Sequence, residues 1–321
     1  MTAGNPVSLL CLSAYIRPMP HAHSSGDATA DRRFAYAMDY KALGDLAAAA
    51  DLLEQALECA PGWAAGWLVL GDVLESLERN DDAVVAYRRS LALDAADRAG
   101  AGARLARLGR MAADGAMTPA HVAALFDDYA GRFETSLVQG LAYRGPALLH
   151  GALRGLREPF AFGRTLDLGC GTGLAGEAFH SVCASIEGVD LSEAMLVRAR
   201  QKKVYRRLVH DGALEFLRKQ SWQSTDLVLA ADVFVYLGNL QALFSEAARV
   251  LEPGGLLAFS AQRCEGPDAF ILGQDMRYAH SLEGIETWAQ AAGLTVRYRD
   301  EEWARMDRGR PVPGMVVVLS H

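Results

Sequence analysis

Apolar positions divide the chain into two unlike halves. From about residue 165 onward, short apolar runs of strand length alternate with amphipathic stretches. TLDL (165–168) precedes LAGEAFHSV, and IEGVD (186–190) precedes SEAMLVRARQK. VYRRLVH (204–210) precedes a helical 212–218, and TDLVLAA (225–231) and LLAFSA (256–261) are almost wholly apolar. Runs of that kind predict buried strands joined by helices, hence a doubly wound α/β sheet. GLTVRYRDEEW and PGMVVVLSH close the chain as two further strands joined by RMDRGRPVPG. Residues 33–110 contain no strand-like run and read as helices throughout.

The first strand of the second half ends in chemistry. Asp167 is followed by three glycines spaced two apart, Gly169, Gly171 and Gly173, with Cys170 between the first two. Glycine there admits positive φ and lets a ligand approach the main chain. In an open α/β sheet, a turn at the carboxyl end of the first strand is where nucleotides bind. A dinucleotide fingerprint, G-x-G-x-x-G, fails when counted from Gly169, because Leu174 takes the third place. It succeeds when counted from Gly171, because Gly176 does. A carboxylate inside the loop suits a cationic ligand and repels a nearby pyrophosphate. S-adenosylmethionine carries a sulfonium and an ammonium, so Asp167 favours it over a nicotinamide dinucleotide. Asp190, at the end of the second run, is placed to accept hydrogen bonds from ribose hydroxyls.

With these motifs in order, residues 120–321 resemble the class I S-adenosylmethionine-dependent methyltransferases. The resemblance implies a Rossmann-like, doubly wound, seven-stranded sheet whose last strand is antiparallel. It implies that Asp167, Gly169, Cys170, Gly171, Gly173, Asp190 and Leu191 hold the cofactor. Asp211 and Gly212 would lie against the adenine, and Ala231, with Asp232 beside it, would line the transfer site. The resemblance further implies a lid over the cofactor from TPAHVAALFDDYAGRF (118–133). There Phe126, Tyr129, Ala130 and Phe133 share a helical face. Tyr129 and Phe133 would shield the sulfonium, and Tyr143 or Arg144 would reach the methionine carboxylate. Methyl transfer is an in-line displacement, accelerated chiefly by positioning, and needs a base only for an acceptor that must lose a proton. His280 and Tyr236 are the polar candidates for catalysis. The acceptor is expected to be a small molecule.

The helical half has a 34-residue period and resembles the tetratricopeptide repeat. The clearer copy has Trp67, Leu70, Gly71 and Leu74 on one helix, then Ala83, Tyr87 and Ser90 on the next. The earlier copy keeps Ala49, Leu53 and Ala56, closed by Pro61, but has Arg33 where an aromatic is expected. Two repeats and a capping helix near 97–110 form a short array that should lean on a neighbour. The expected divisions are a tail (1–30), a helical-repeat domain (31–112), linker and lid helices (113–160) and a methyltransferase domain (161–321). The repeats would serve packing or self-association, with a protein partner as the alternative.

Composition narrows the rest. At 321 residues, 51% hydrophobic and 22% charged, the chain has ample core for two domains. Its net charge of −7 leaves acids in excess in both halves, which disfavours nucleic acid as a partner. The five cysteines, Cys11, Cys59, Cys170, Cys183 and Cys264, show no C-x-x-C spacing, consistent with a reducing cytoplasm and no zinc site. His21 and His23 lack a third ligand, so no metal is expected. No apolar run is long enough for a membrane span. The full expectation is a cytoplasmic methyltransferase. Its alternatives are a repeat-based adaptor with a cofactor-binding but non-catalytic domain, and a nicotinamide-dependent oxidoreductase.

Overall fold

The computed structural model describes residues 24–134, 142–307 and 309–321. The described residues open with five helices: α1 (Ala28–Leu43), α2 (Leu46–Cys59), α3 (Ala64–Ser76), α4 (Asn80–Leu93) and α5 (Ala101–Arg107). Helix α1 begins inside the stretch expected to be tail, because Asp27 caps it by accepting from the amides of Thr29 and Ala30. Small residues let the helices approach. A Cβ on Gly71 would lie 2.5 Å from Cδ1 of Tyr87, whose hydroxyl donates to Asp72 and Glu75 at 2.9 Å each. Arg33 donates to the Gln55 carbonyl at 2.7 Å, while its neighbour Phe34 supplies an aromatic contact to Trp63 at 4.8 Å. Arg104 and Arg107 on α5 pair with Asp72 and Glu75 at 2.5 Å, tying the last helix to α3.

Two linking helices follow, α6 (Pro119–Tyr129) and α7 (Gly145–Arg154). Thr118 caps α6 through the His121 amide, and Pro119 takes the first turn, where its missing N–H costs nothing. The α/β part then runs β1 (Phe162–Leu168), α8 (Leu174–Phe179), β2 (Cys183–Asp190), α9 (Glu193–Lys202) and β3 (Arg207–His210). It continues through α10 (Ala213–Arg218), β4 (Thr225–Ala230), a 3-10 turn (Phe234–Tyr236), α11 (Gln241–Val250) and β5 (Leu251–Arg263). Last come β6 (Phe270–Leu272), β7 (Tyr278–His280), α12 (Leu282–Ala291), β8 (Thr295–Asp300), β9 (Met306–Asp307), β10 (Arg310–Pro311) and β11 (Gly314–Ser320).

The sheet order is β3-β2-β1-β4-β5-β11-β8, and β11 runs antiparallel to both of its neighbours. This is the expected doubly wound sheet of seven strands. Two additions were not expected: the β6–β7 hairpin, whose β7 extends the sheet beside the end of β5, and the β9–β10 ribbon. Alternate residues of the central strands feed opposite faces. Leu227, Leu229, Leu256 and Ala258 pack with Phe162 and Phe179 on one side. Val228, Ala230, Leu257 and Phe259 pack with Phe234 and Phe244 on the other. Strands buried on both faces must be apolar at nearly every position, which is why these runs do not alternate.

A smaller cluster joins the halves. Ala103 of α5 and Met117, Val122 and Phe126 of the linker pack with Tyr236, Phe270 and Tyr278. Arg107 donates to Gln274 at 2.9 Å, and Tyr278 donates to the Ala113 carbonyl at 2.5 Å. The repeat helices thus lean on the β6–β7 hairpin.

Candidate active site

β1 lies between β2 and β4, so the chain reverses its direction of travel across the sheet at β1. Crevices open at such switch points, beyond the carboxyl ends of the strands. A cavity of about 400 Å³ lies there. Its floor is the glycine loop, its sides are the ends of β2, β3 and β4, and its roof is α6 with the turn that follows.

The loop is shaped by contact as well as by conformation. Gly169 has φ +58°, and a Cβ there would lie 2.6 Å from a methyl of Val233. The Cys170 amide donates to the Val189 carbonyl at 2.9 Å, and the Gly171 amide to Asp190 Oδ2 at 2.8 Å. The other oxygen of Asp190 accepts from the Ser192 amide at 2.8 Å, while Ser192 caps α9 through Met195. Asp190 is therefore fixed from both sides, and each oxygen keeps a lone pair for a ligand. Burial raises its pKa, against the two amides that lower it.

Asp167 has a partner that no motif announces. Tyr205, in the turn before β3, donates to Asp167 Oδ2 at 2.6 Å and accepts from the Gly176 amide at 3.2 Å. A Cβ at Gly176 would come within 2.4 Å of that ring. Gly176 is thus explained by the need to admit Tyr205, which removes the motive for a dinucleotide frame. Burial, with Asp190 nearby, lifts the Asp167 carboxyl from 3.8 to about 7, against the Tyr205 hydrogen bond. The Cys170 thiol is buried and pushed well up, so it is not a nucleophile.

The roof is aromatic. Phe126 meets Tyr236 edge-on at 5.2 Å, and Tyr129 meets Phe133 at 5.6 Å. Asp127 holds the roof to the floor, accepting from Ser192 Oγ at 2.6 Å and from the Ala194 amide at 3.3 Å. Among the described residues, the Tyr129 hydroxyl and Thr172 Oγ1 are buried without hydrogen-bond partners, polar atoms of the cavity wall that a bound ligand could satisfy. Residues 135–141, within the expected division of linker and lid helices (113–160), lie outside the described residues, as do His21 and His23.

Most of the residues singled out in the sequence border this cavity. They include Asp167, Gly169, Cys170, Gly171, Asp190 and Leu191, together with Tyr129, Phe133 and Tyr143. Asp211, Gly212, Ala231 and Tyr236 border it as well. Asp211 pairs with Lys219 at 2.5 Å, which lowers its pKa.

Three do not. Gly173, at φ +93°, begins α8 and shapes the turn from behind. Arg144 is paired with Glu302 at 2.6 Å and stacked over Trp303 at 4.3 Å, and it is not part of the cavity lining. His280 is fully buried, with Nε2 at 3.0 Å from the carbonyls of Leu237 and Gly238. That geometry requires Nε2 to carry the proton, and burial lowers the ring to about 4. Among the described residues its Nδ1 has no hydrogen-bond partner, and its ring lies 6.2 Å from that of Trp288. His280 is not part of the cavity lining, because its ring is fully buried beside Phe270 and Trp288.

Sequence reasoning missed Tyr205, Val233, Asp127 and Arg277. Only Gly176 hinted at any of them, since a glycine inside a short amphipathic helix implies a close neighbour.

Residues 166–259 match the family described as a methyltransferase domain, and residues 64–97 match the tetratricopeptide repeat. The first matched stretch carries a methyltransferase domain. Two curated relatives of this domain are O-methyltransferases. The ubiquinone biosynthesis O-methyltransferase of Maricaulis maris is 35% identical over 34% of this chain and 43% of that one. The malonyl-[acyl-carrier protein] O-methyltransferase of Legionella pneumophila is 36% identical over 38% of this chain and 45% of that one. The matches therefore span under half the length of either relative. Among solved structures, the Burkholderia thailandensis 1,6-didemethyltoxoflavin-N1-methyltransferase overlaps 60% of this chain and 86% of that one. It does so at 16% identity and a TM-score of 0.45. Among the described residues, no group of three or more metal-ligating side chains accompanies the methyltransferase domain, and no helix is long and apolar enough to cross a membrane.

Proposed function

We propose that the whole protein transfers a methyl group from S-adenosylmethionine to a small-molecule acceptor. The observation that carries this reading is a pair of carboxylates in one cavity, the buried Asp167 and the half-buried Asp190, with glycine main chain between them. The residues fit the donor. Asp190 offers free lone pairs to ribose hydroxyls, Asp167 offers a carboxylate to a cation, and Gly171 leaves no Cβ between loop and ligand. Asp211 and Gly212 lie where an adenine would end, and Tyr129 and Phe133 roof the space above Gly171. When bound, S-adenosylmethionine supplies a methyl carbon already activated by its sulfonium leaving group.

The protein's own part is to orient and to exclude water. The Phe126–Tyr236 and Tyr129–Phe133 pairs wall the cavity with ring edges and faces, which suits a dry, pre-formed transfer site. Of the two polar candidates, Tyr236 borders the cavity. Burial raises its pKa, so at neutral pH it stays protonated and its hydroxyl can donate to an acceptor. The repeat helices stabilise the acceptor side by packing against the β6–β7 hairpin, and this reading assigns them support for the enzyme before partner capture.

The test has two arms. Calorimetry should show binding of S-adenosylmethionine and S-adenosylhomocysteine but none of NAD. Incubation with a fractionated metabolite extract should then release S-adenosylhomocysteine with at least one fraction. Donor binding with no product from any fraction would favour the adaptor reading instead.

A further inference from the structure

The acceptor end of the cavity holds an unusual charge arrangement. Arg277 precedes β7, which pairs with the end of β5, so it lies on the opposite side of β1 from Asp190 and the glycine loop. Its side chain is 11% exposed and borders the cavity, and its guanidinium sits 5.2 Å from the ring centre of Tyr236. Among the described residues it makes no side-chain hydrogen bond, and its buried NH1 meets Asp232 only as an ion pair, beyond hydrogen-bond distance. Its nearest carboxylate, Asp232, stands at 3.7 Å and is shared with Arg305 at 3.9 Å. Arg305 is 4% exposed and has a second carboxylate, Asp275, at 3.9 Å, as well as the Gln262 side chain at 3.2 Å. Asp307 adds a further negative charge to the surroundings of Arg277. Two described arginines border the cavity: Arg132 is 41% exposed and pairs with Asp128 at 3.4 Å, whereas Arg277 is 11% exposed and its donors are unfilled.

Buried guanidinium donors are costly to leave unmade, and a planar carboxylate matches their fork. A doubly charged phosphate fits less well, because Asp232 stands beside the same guanidinium. Around this point the wall is apolar, formed by Val122, Phe126 and Leu237. We propose that the methyl acceptor is an amphiphilic carboxylic acid whose carboxylate is anchored by Arg277, with its apolar body under α6. The inference rests on the methyl-transfer reading above. The donor's own methionyl carboxylate has the same chemistry, so the test must separate the two sources.

Full-length protein saturated with S-adenosylhomocysteine is titrated calorimetrically with octanoate and with octanamide, which differ in charge at equal length. Octanoate should bind at least about tenfold tighter. Arg277→Gln should erase that preference and leave S-adenosylhomocysteine affinity unchanged. Asp232→Asn, which frees the guanidinium from its shared carboxylate, should strengthen octanoate binding several-fold. That gain cannot come from damage to the fold, so it decides the matter even if the Arg277 variant does not fold. Equal binding of acid and amide, a preference that survives Arg277→Gln, or no gain in Asp232→Asn overturns the proposal. Loss of S-adenosylhomocysteine affinity in Arg277→Gln would also overturn it, by assigning the guanidinium to the donor's carboxylate. Failure of the unmodified protein to bind S-adenosylhomocysteine would sink the underlying methyl-transfer reading, a result distinct from all of these.

Discussion

Asp167 ties the charge of the ligand to pH. In the free protein its carboxyl is lifted from 3.8 to about 7 by burial beside Asp190, and a cation bound against it would favour the ionised form. Donor binding should therefore expel a proton below about pH 7, and affinity for S-adenosylmethionine should rise with pH up to that point and then level off. Linkage limits the slope for this one group to about tenfold per pH unit. Asp190, also raised, adds to the same trend, whereas Tyr205 and Cys170 are pushed upward and stay protonated throughout. Stability of the free protein has the opposite sign. A carboxyl that holds its proton more tightly folded than unfolded makes the fold less stable as pH rises from about 4 to about 7. Calorimetry between pH 5.5 and 8 checks the binding trend, and Asp167→Asn should flatten much of it. A steep slope that persists in Asp167→Asn would assign the titration elsewhere. Asp190→Ala should cost donor affinity about 1–3 kcal/mol through lost charged hydrogen bonds. Unchanged affinity by the same titration would remove Asp190 from the site.

The turn from β1 into α8 shows what a sequence can and cannot disclose about an element. The strand, the positive-φ glycines and the two acids were legible because each obeys a local rule: an apolar run, a tight turn, a carboxylate at a strand end. The function of Gly176 was not, because its reason is Tyr205, twenty-nine residues away and held by tertiary contact. Arg144 and His280 failed for a related reason. Both residue types carry useful chemistry, but Glu302 and the carbonyls after the 3-10 turn, which decide where they point, are remote in sequence. The β6–β7 hairpin, with Arg277 at its end, left no periodic trace because its strands have three residues each. Gly176→Ala tests the turn directly. Its Cβ would press on Tyr205 at 2.4 Å, and overpacking of that kind costs about 1–3 kcal/mol. Thermal denaturation should show the loss, and donor affinity should fall with it as Tyr205 leaves Asp167. A variant of unchanged melting temperature and affinity would mean that the ring moves aside freely.

Across the whole molecule, the two halves are joined by a contact that reaches the acceptor side and touches the donor cradle at Leu191, not at its carboxylates. Helix α5 and the segment after it touch the β6–β7 hairpin through Arg107 and Ala113, and the shared cluster extends to Phe126 and Tyr236. Asp167, Asp190 and Asp211 are positioned by β1, β2, β3 and the turns after them, all within the sheet half. Removal of residues 1–110 should thus spare the donor site, with S-adenosylhomocysteine affinity within about threefold of the full chain, a difference below 1 kcal/mol. The acceptor side should suffer. Loss of Ala103 uncovers part of the Met117–Tyr278 cluster, and an exposed apolar patch of this kind promotes self-association. Sedimentation and calorimetry on the truncated chain separate these effects, with circular dichroism confirming that the sheet half has folded. A folded, truncated protein that loses donor affinity would show that the repeats contribute to the cradle itself. One that binds donor, stays monomeric and turns over acceptor normally would free the repeat helices from any part in the site and return them to partner binding.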